Sequence, residues 1–344
     1  MPFVLCYDAA VKIAIVGAGG VGGYFGGRLA AAGADVHFLA RGAHLQALRT
    51  TGLRIESPKG NVHLPRVDAT DDPAAIGPAD VVFFTVKLYD SESAIGALKP
   101  LLGPDTAVIP FQNGVESVGM LTRAIGPRHT AGGTAYVAAV IVEPGLIRHT
   151  SMDSLFFGEL DGRPSTRLER LLDACSAAGF STTLSRDINV DIWTKFVRLS
   201  VFSGITTVTR CPIGPIVSDP ALFAMLFEAL KEAYAVARGR GIDVASSVVD
   251  ENAVRKGYAA MPPEAKSSML QDLERGRPLE LPWLSGAVVR LGEQVGVPTP
   301  THRFITTVLR PHVDGLPERR SVLDTRERYG TSVSAHGVGP HARR

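Results

Sequence analysis

One segment constrains this chain more than any other. The apolar, β-rich run Val11–Val16 leads straight into Gly17-Ala18-Gly19-Gly20-Val21-Gly22. Residues Tyr24–Ala32 then read as a helix ending near Gly33, and Val36–Leu39 as the next strand. Strand, glycine turn, helix, strand is the opening of a doubly wound α/β domain that holds a dinucleotide. Gly17 permits the tight turn. Gly19 lets the backbone approach a pyrophosphate, and Gly22 lets helix and strand pack closely. Gly20 and Val21 contribute amide groups at the helix N-terminus, where the dipole favours phosphate. A carboxylate at the end of the second strand would select NAD through its ribose hydroxyl. The segment here is Phe38-Leu39-Ala40-Arg41, and a guanidinium suits the 2′-phosphate of NADP instead.

Beyond this unit the 344-residue chain divides by pattern. Buried-strand runs recur at 81–86 and 107–111, with helical stretches such as Ser91–Leu102 between them. Ala135–Val142, Gly145–His149 and Leu155–Gly158 read as short strands around the turn Glu143-Pro144-Gly145, an antiparallel extension of the same sheet. A further helix is expected over Ser165–Ala178. From about Asn189 the chain reads as helical, with Asp191 capping a helix through Phe202 and Asp219-Pro220 opening another that runs to the glycines at 239 and 241. Three more are expected near 264–275, 282–295 and 301–313. The expected organisation is a Rossmann-type α/β domain over 11–188, an all-α domain over 189–313 and a polar, disordered tail over 314–344. Ligands favour the crevice between two such domains.

Composition narrows the function. A formal net charge of +2 gives no basic excess for nucleic acid. No apolar run reaches the roughly 18 residues needed to cross a bilayer. Met1–Ala10 lacks the basic start of a signal peptide, so a cytoplasmic setting is expected. Cys6, Cys175 and Cys211 are odd in number and far apart, which argues against a disulfide framework. No HExxH or CxxC points to a metal, and no GxSxG points to a serine hydrolase. Leu222–Val236 is apolar around much of its circumference, which fits either a homodimer face or plain core.

Several further motifs, in order, resemble the ketopantoate reductase (2-dehydropantoate 2-reductase) family over nearly all of 11–312. They are Val86-Lys87, Gln112-Asn113-Gly114, Trp193-Thr194-Lys195-Phe196 and Ser267–Asp272, with Glu280 twelve residues past Ser268. The resemblance implies NADPH-dependent reduction of a 2-oxo acid to a 2-hydroxy acid, a step of pantothenate biosynthesis. It implies that Lys195 is the catalytic lysine, that Asn113 lies between nicotinamide and substrate, and that Glu280 stands near the substrate hydroxyl. Ser268 is then a substrate ligand, Lys87 belongs to the cofactor cleft, and Arg41 takes the 2′-phosphate. The family commonly carries asparagines four and eight residues after the lysine. Those positions are Leu199 and Ser203 here. They share one helix stripe with Lys195, so a more apolar or bulkier substrate than ketopantoate is expected. Two rival readings are an opine-type dehydrogenase reducing an imine and a non-catalytic NADP sensor.

Overall fold

The computed structural model describes residues 10–315. The expected disorder of the C-terminal tail, and the reading of Met1–Ala10, fall almost wholly outside them. The glycine turn leads from β1 (Lys12–Val16) to α1 (Gly20–Ala31) and β2 (Asp35–Leu39). Then come α2 (Gly42–Thr50), β3 (Leu53–Glu56), β4 (Val62–Leu64), β5 (Asp68–Thr70), α3 (Pro73–Ile76) and β6 (Ala79–Phe84). They are followed by α4 (Ser91–Gly96), β7 (Leu102–Pro110) and α5 (Ser117–Ile125). Five of these strands form one parallel sheet in the order β5-β2-β1-β6-β7. Its central strands are near-continuous apolar runs because helices cover both faces.

The hairpin expected after Gly132 is present as β8 (Gly132–Glu143) and β9 (Leu146–Gly158), turning at Gly145 with φ +81°. It pairs antiparallel along most of its length. One correction is needed: the hairpin does not continue the first sheet but builds a second, mixed one. β3 pairs parallel with the start of β9, and β10 (Ser181–Leu184), reached through α6 (Thr166–Ala177), pairs parallel with its end. Among the described residues, the ladder contact between β7 and the segment leading into β8 is a single isolated bridge, Val108 to Thr130. The two sheets meet closely at Gly133, where a Cβ would lie 2.4 Å from Ile109 and 2.8 Å from Phe111. There β8 presses on the side chains of β7 rather than extending its edge.

α1 lies between the two sheets, which explains a helix built from so much glycine. A Cβ at Gly26 would strike Ile15 and Phe38 of the first sheet, and one at Gly27 would strike Ile55 and Leu53 of the second. Glycine costs about 1 kcal/mol relative to alanine inside a helix. Close approach to two apolar sheet faces offsets that cost.

The chain then becomes helical. α7 (Ile188–Thr209) is the central rod, followed by α8 (Ile213–Ser218), α9 (Pro220–Gly239), α10 (Glu251–Ala259), α11 (Ser268–Glu274), α12 (Ser285–Val295) and α13 (Pro300–Leu309). α7 is capped by Asp187, whose carboxylate accepts from the Val190 amide, and not by Asp191. Asp191 sits in the first turn, where it accepts from Ser185 Oγ. Asp219 caps α9 as its sequence implies, accepting from the Ala221 and Leu222 amides. The apolar face of α9, including Phe223, Leu226, Leu230 and Val236, is buried in the core of the helical region. Among the described residues no helix is long and apolar enough to cross a membrane.

Candidate active site

The candidate cofactor cradle lies at the carboxyl end of β1. Gly17 adopts φ +101°, and a Cβ there would stand 2.8 Å from the Val86 amide nitrogen, so only glycine fits. Its amide donates to Leu39 O at 3.1 Å, and Gly19 N donates to Gly17 O at 2.8 Å. Thr85 Oγ1 donates to Gly17 O at 2.8 Å and holds the turn against β6. A Cβ at Gly22 would be 2.3 Å from Gly17 O. Gly19 is different, because a Cβ there would meet no atom within 4 Å. The fold has no steric need for glycine at 19, and the space above it is open. Gly19 is the α1 N-cap with no side-chain cap, and the first turn, with Gly20 and Val21, carries no acid. Open space over uncapped amides fits a pyrophosphate. Arg41 ends the loop after β2 as the N-cap of α2, its side chain 74% exposed and paired with Asp90 at 2.8 Å.

A chain of polar groups spans the cleft between the two regions. Lys195, on the second turn of α7, places Nζ 2.7 Å from the Ala135 carbonyl of β8 and 3.1 Å from Asn113 Oδ1. The same ammonium lies 5.8 Å from the centre of the Tyr136 ring. Asn113 Nδ2 donates to Glu280 Oε2 at 3.4 Å. This fixes the amide's orientation, since an ammonium only donates and a carboxylate only accepts. Glu280 is buried, accepts from the Leu88 amide at 3.2 Å, and lies 3.6 Å from Lys87 Nζ. Lys87 completes the chain with Asp272 of α11 at 3.0 Å. Gln112 donates to both Val86 O and Ser91 Oγ, clamping the Lys87 loop to the Asn113 turn. The Asn-Gly dipeptide is also a tight turn: Gly114 has φ +88° and packs on the Trp283 carbonyl, just beyond Glu280.

The two lysines are driven in opposite directions. Burial lowers Lys195 to about 8, with Glu280 pulling partly the other way. Burial also acts to lower Lys87, but the adjacent Glu280 and Asp272 outweigh it and hold that lysine above its usual range. Lys87 is therefore a fixed cation, while Lys195 exchanges its proton near pH 8. Titratable neighbours whose environments push them apart mark acid–base chemistry.

The structure thus brings together Lys195, Asn113, Glu280 and Lys87 from the residues singled out in the sequence. Ser268 is not part of that chain of hydrogen bonds. It is exposed on the first turn of α11, while its neighbour Ser267 is the buried cap, bonded to the Leu270 amide and 2.8 Å from Thr206 Oγ1. Ser203 is fully buried and its Oγ has no partner. Leu199 is half-buried, one turn beyond Lys195, against the helical core. Sequence reasoning missed Asp272, although it ends a quoted motif. It also missed the Ala135 carbonyl, which carries no side-chain signal.

Fold and site define the class, an NAD(P)-dependent oxidoreductase. Residues 13–162 match the family described as ketopantoate reductase PanE/ApbA, and residues 187–313 match its C-terminal region. The chain belongs to the ketopantoate reductase family. It is 33% identical to a 2-dehydropantoate 2-reductase of Mesorhizobium japonicum, covering 87% of this chain and 97% of the relative. It is also 33% identical to one of Archaeoglobus fulgidus, covering 89% and 99% respectively. A ketopantoate reductase structure from Ralstonia eutropha superposes with a TM-score of 0.80 at 33% identity, covering 88% of this chain and 98% of that one. D-mandelate dehydrogenase, solved with NADH, shares the fold at 22% identity and a TM-score of 0.76, covering 87% of this chain and 98% of that one.

Proposed function

We propose that this chain reduces a 2-oxo acid to the 2-hydroxy acid with NADPH, and that its substrate has a more apolar or bulkier tail than ketopantoate. The observation that carries the reaction is the Lys195 ammonium, held by Asn113 and Ala135 O with its proton made labile near pH 8. The Gly17–Gly22 turn, Arg41 and Lys87 would hold the cofactor. The chemistry that a bound NADPH supplies is hydride delivery to the carbonyl carbon. Lys195 meets the negative charge growing on the carbonyl oxygen and gives it a proton. Asn113 positions that ammonium from one side, and Glu280 holds Asn113 from the other. The positive charges of Lys87 and Lys195 together balance Glu280 and Asp272, so the cleft does not repel an anionic substrate.

The α7 stripe beyond Lys195 supports the apolar tail. Leu199 stands one turn on, and Phe202, half-buried, stacks on Tyr258 at 6.3 Å between ring centres. Leu199 offers no hydrogen-bonding group to a hydroxylated tail, and an unpaired substrate hydroxyl costs binding.

Steady-state oxidation of NADPH against a panel of 2-oxo acids tests this. Aromatic or longer aliphatic 2-oxo acids without a tail hydroxyl are expected to exceed ketopantoate in kcat/KM by about tenfold or more. Leu199→Asn should narrow that gap from both sides. A clear preference of the unmodified enzyme for ketopantoate would overturn the substrate assignment. An amine co-substrate should leave the rate unchanged, whereas acceleration favours the imine-reducing rival. Tight NADPH binding without turnover of any carbonyl favours the sensor.

A further inference from the structure

The ion pair between Arg41 and Asp90 lies across the cofactor crevice. Strand order places β1 between β2 and β6, so the carboxyl ends of β2 and β6 flank the glycine turn. Arg41 follows β2 by two residues, and Asp90 closes the short 3-10 turn Leu88–Asp90 after β6. Their contact at 2.8 Å therefore bridges the two lips of the crevice. The side chains are 74% and 32% exposed, so the pair is weak and opens readily.

We infer that Asp90 is a cofactor-specificity residue that opposes Arg41 and lowers the preference for NADPH over NADH. This rests on the reading that Arg41 marks the adenosine ribose position. A guanidinium at the end of the second strand takes a 2′-phosphate, while a carboxylate near the same ribose takes the 2′-hydroxyl of NADH. This chain carries both, the guanidinium from the β2 side and the carboxylate from the β6 side. When a 2′-phosphate draws Arg41 away, Asp90 is left as a nearby like charge, which weakens the phosphate's hold. When the ribose bears a hydroxyl, Asp90 accepts its hydrogen bond. The site therefore admits both nicotinamide cofactors, and the carboxylate sets the ratio.

The test is direct titration of NADPH and NADH onto the full chain and onto Asp90→Asn and Arg41→Ala, followed by tryptophan fluorescence or calorimetry. Thermal melts of the free variants verify that each is folded. Asp90→Asn is expected to tighten NADPH about tenfold and to weaken NADH about threefold, the scale of one charged contact. Arg41→Ala is expected to weaken NADPH about thirtyfold and to leave NADH nearly unchanged. A ratio of dissociation constants that collapses in Arg41→Ala but stays within twofold in Asp90→Asn overturns the role of Asp90 alone. A ratio unmoved in both variants overturns the placement of the ribose as well.

Discussion

Replacing Lys195 with methionine is expected to lower kcat/KM for 2-oxo acid reduction by about three orders of magnitude, with NADPH affinity changed by no more than about threefold. Methionine keeps the stem and removes the ammonium. In the proposed reaction the lost group both stabilises the developing alkoxide and supplies its proton, so the effect falls mainly on kcat. The cradle at Gly17–Gly22 is built from other elements and keeps its geometry. Stopped-flow turnover and a separate NADPH titration distinguish the two effects. A merely structural lysine would change stability and leave kcat within a few fold.

Gly19 and Gly20, adjacent in sequence, should respond in opposite ways to alanine. A Cβ at Gly20 would lie 2.0 Å from the Ala139 carbonyl oxygen, an overlap that backbone cannot absorb without moving α1 away from β8. Gly20→Ala is therefore expected to cost about 2–4 kcal/mol and to lower Tm by about 4–12 °C. At Gly19 a Cβ meets no atom within 4 Å and the backbone is extended, so Gly19→Ala should melt within about 2 °C of the parent chain. Yet its methyl group would occupy the space above the α1 amides. NADPH affinity should fall by about a hundredfold. Melting curves and cofactor titrations on the two variants separate a glycine that the fold needs from one that the ligand needs.

Much of this arrangement was legible in the sequence, for physical reasons that also explain what was not. The β1–turn–α1–β2 unit is local, and each glycine or apolar run there carries its own conformational signal. The same holds for α9, where Asp219 and Pro220 mark the first turn chemically. The second sheet escaped because β3, β4 and β10 are three or four residues long, too short for a period to be read. Their partners are distant: β3 pairs with the start of β9, roughly ninety residues on. Asp187 and Asp191 both satisfy the cap pattern, and only the extra turn of helix before Ile192 decides between them. α10 was missed, although Asp250 caps it by accepting from the Ala253 amide. At the site, Lys195, Asn113, Glu280 and Lys87 announced themselves as charged or amide groups in recurring motifs. Ser268 and Ser203 did not join them, since serine at a helix start serves a cap as readily as a ligand, and here the neighbouring Ser267 does so.

In the proposed reaction Lys195 is the proton donor and Glu280 acts on it through charge. Burial lowers the ammonium to about 8 while Glu280 raises it, so the carboxylate keeps the acid form populated at neutral pH. An acid must be protonated to work in the reductive direction, so kcat/KM should be flat below this value and fall as pH rises through about 8. Neutralising the carboxylate in Glu280→Gln removes the influence that raises Lys195 and leaves burial acting on it. The measurement is the pH profile of kcat/KM for NADPH-dependent reduction in the parent chain and in Glu280→Gln. The falling limb is predicted near pH 8 in the parent and displaced to lower pH in the variant. A limb absent below pH 10, or one that stays in place or moves to higher pH in Glu280→Gln, would contradict the account.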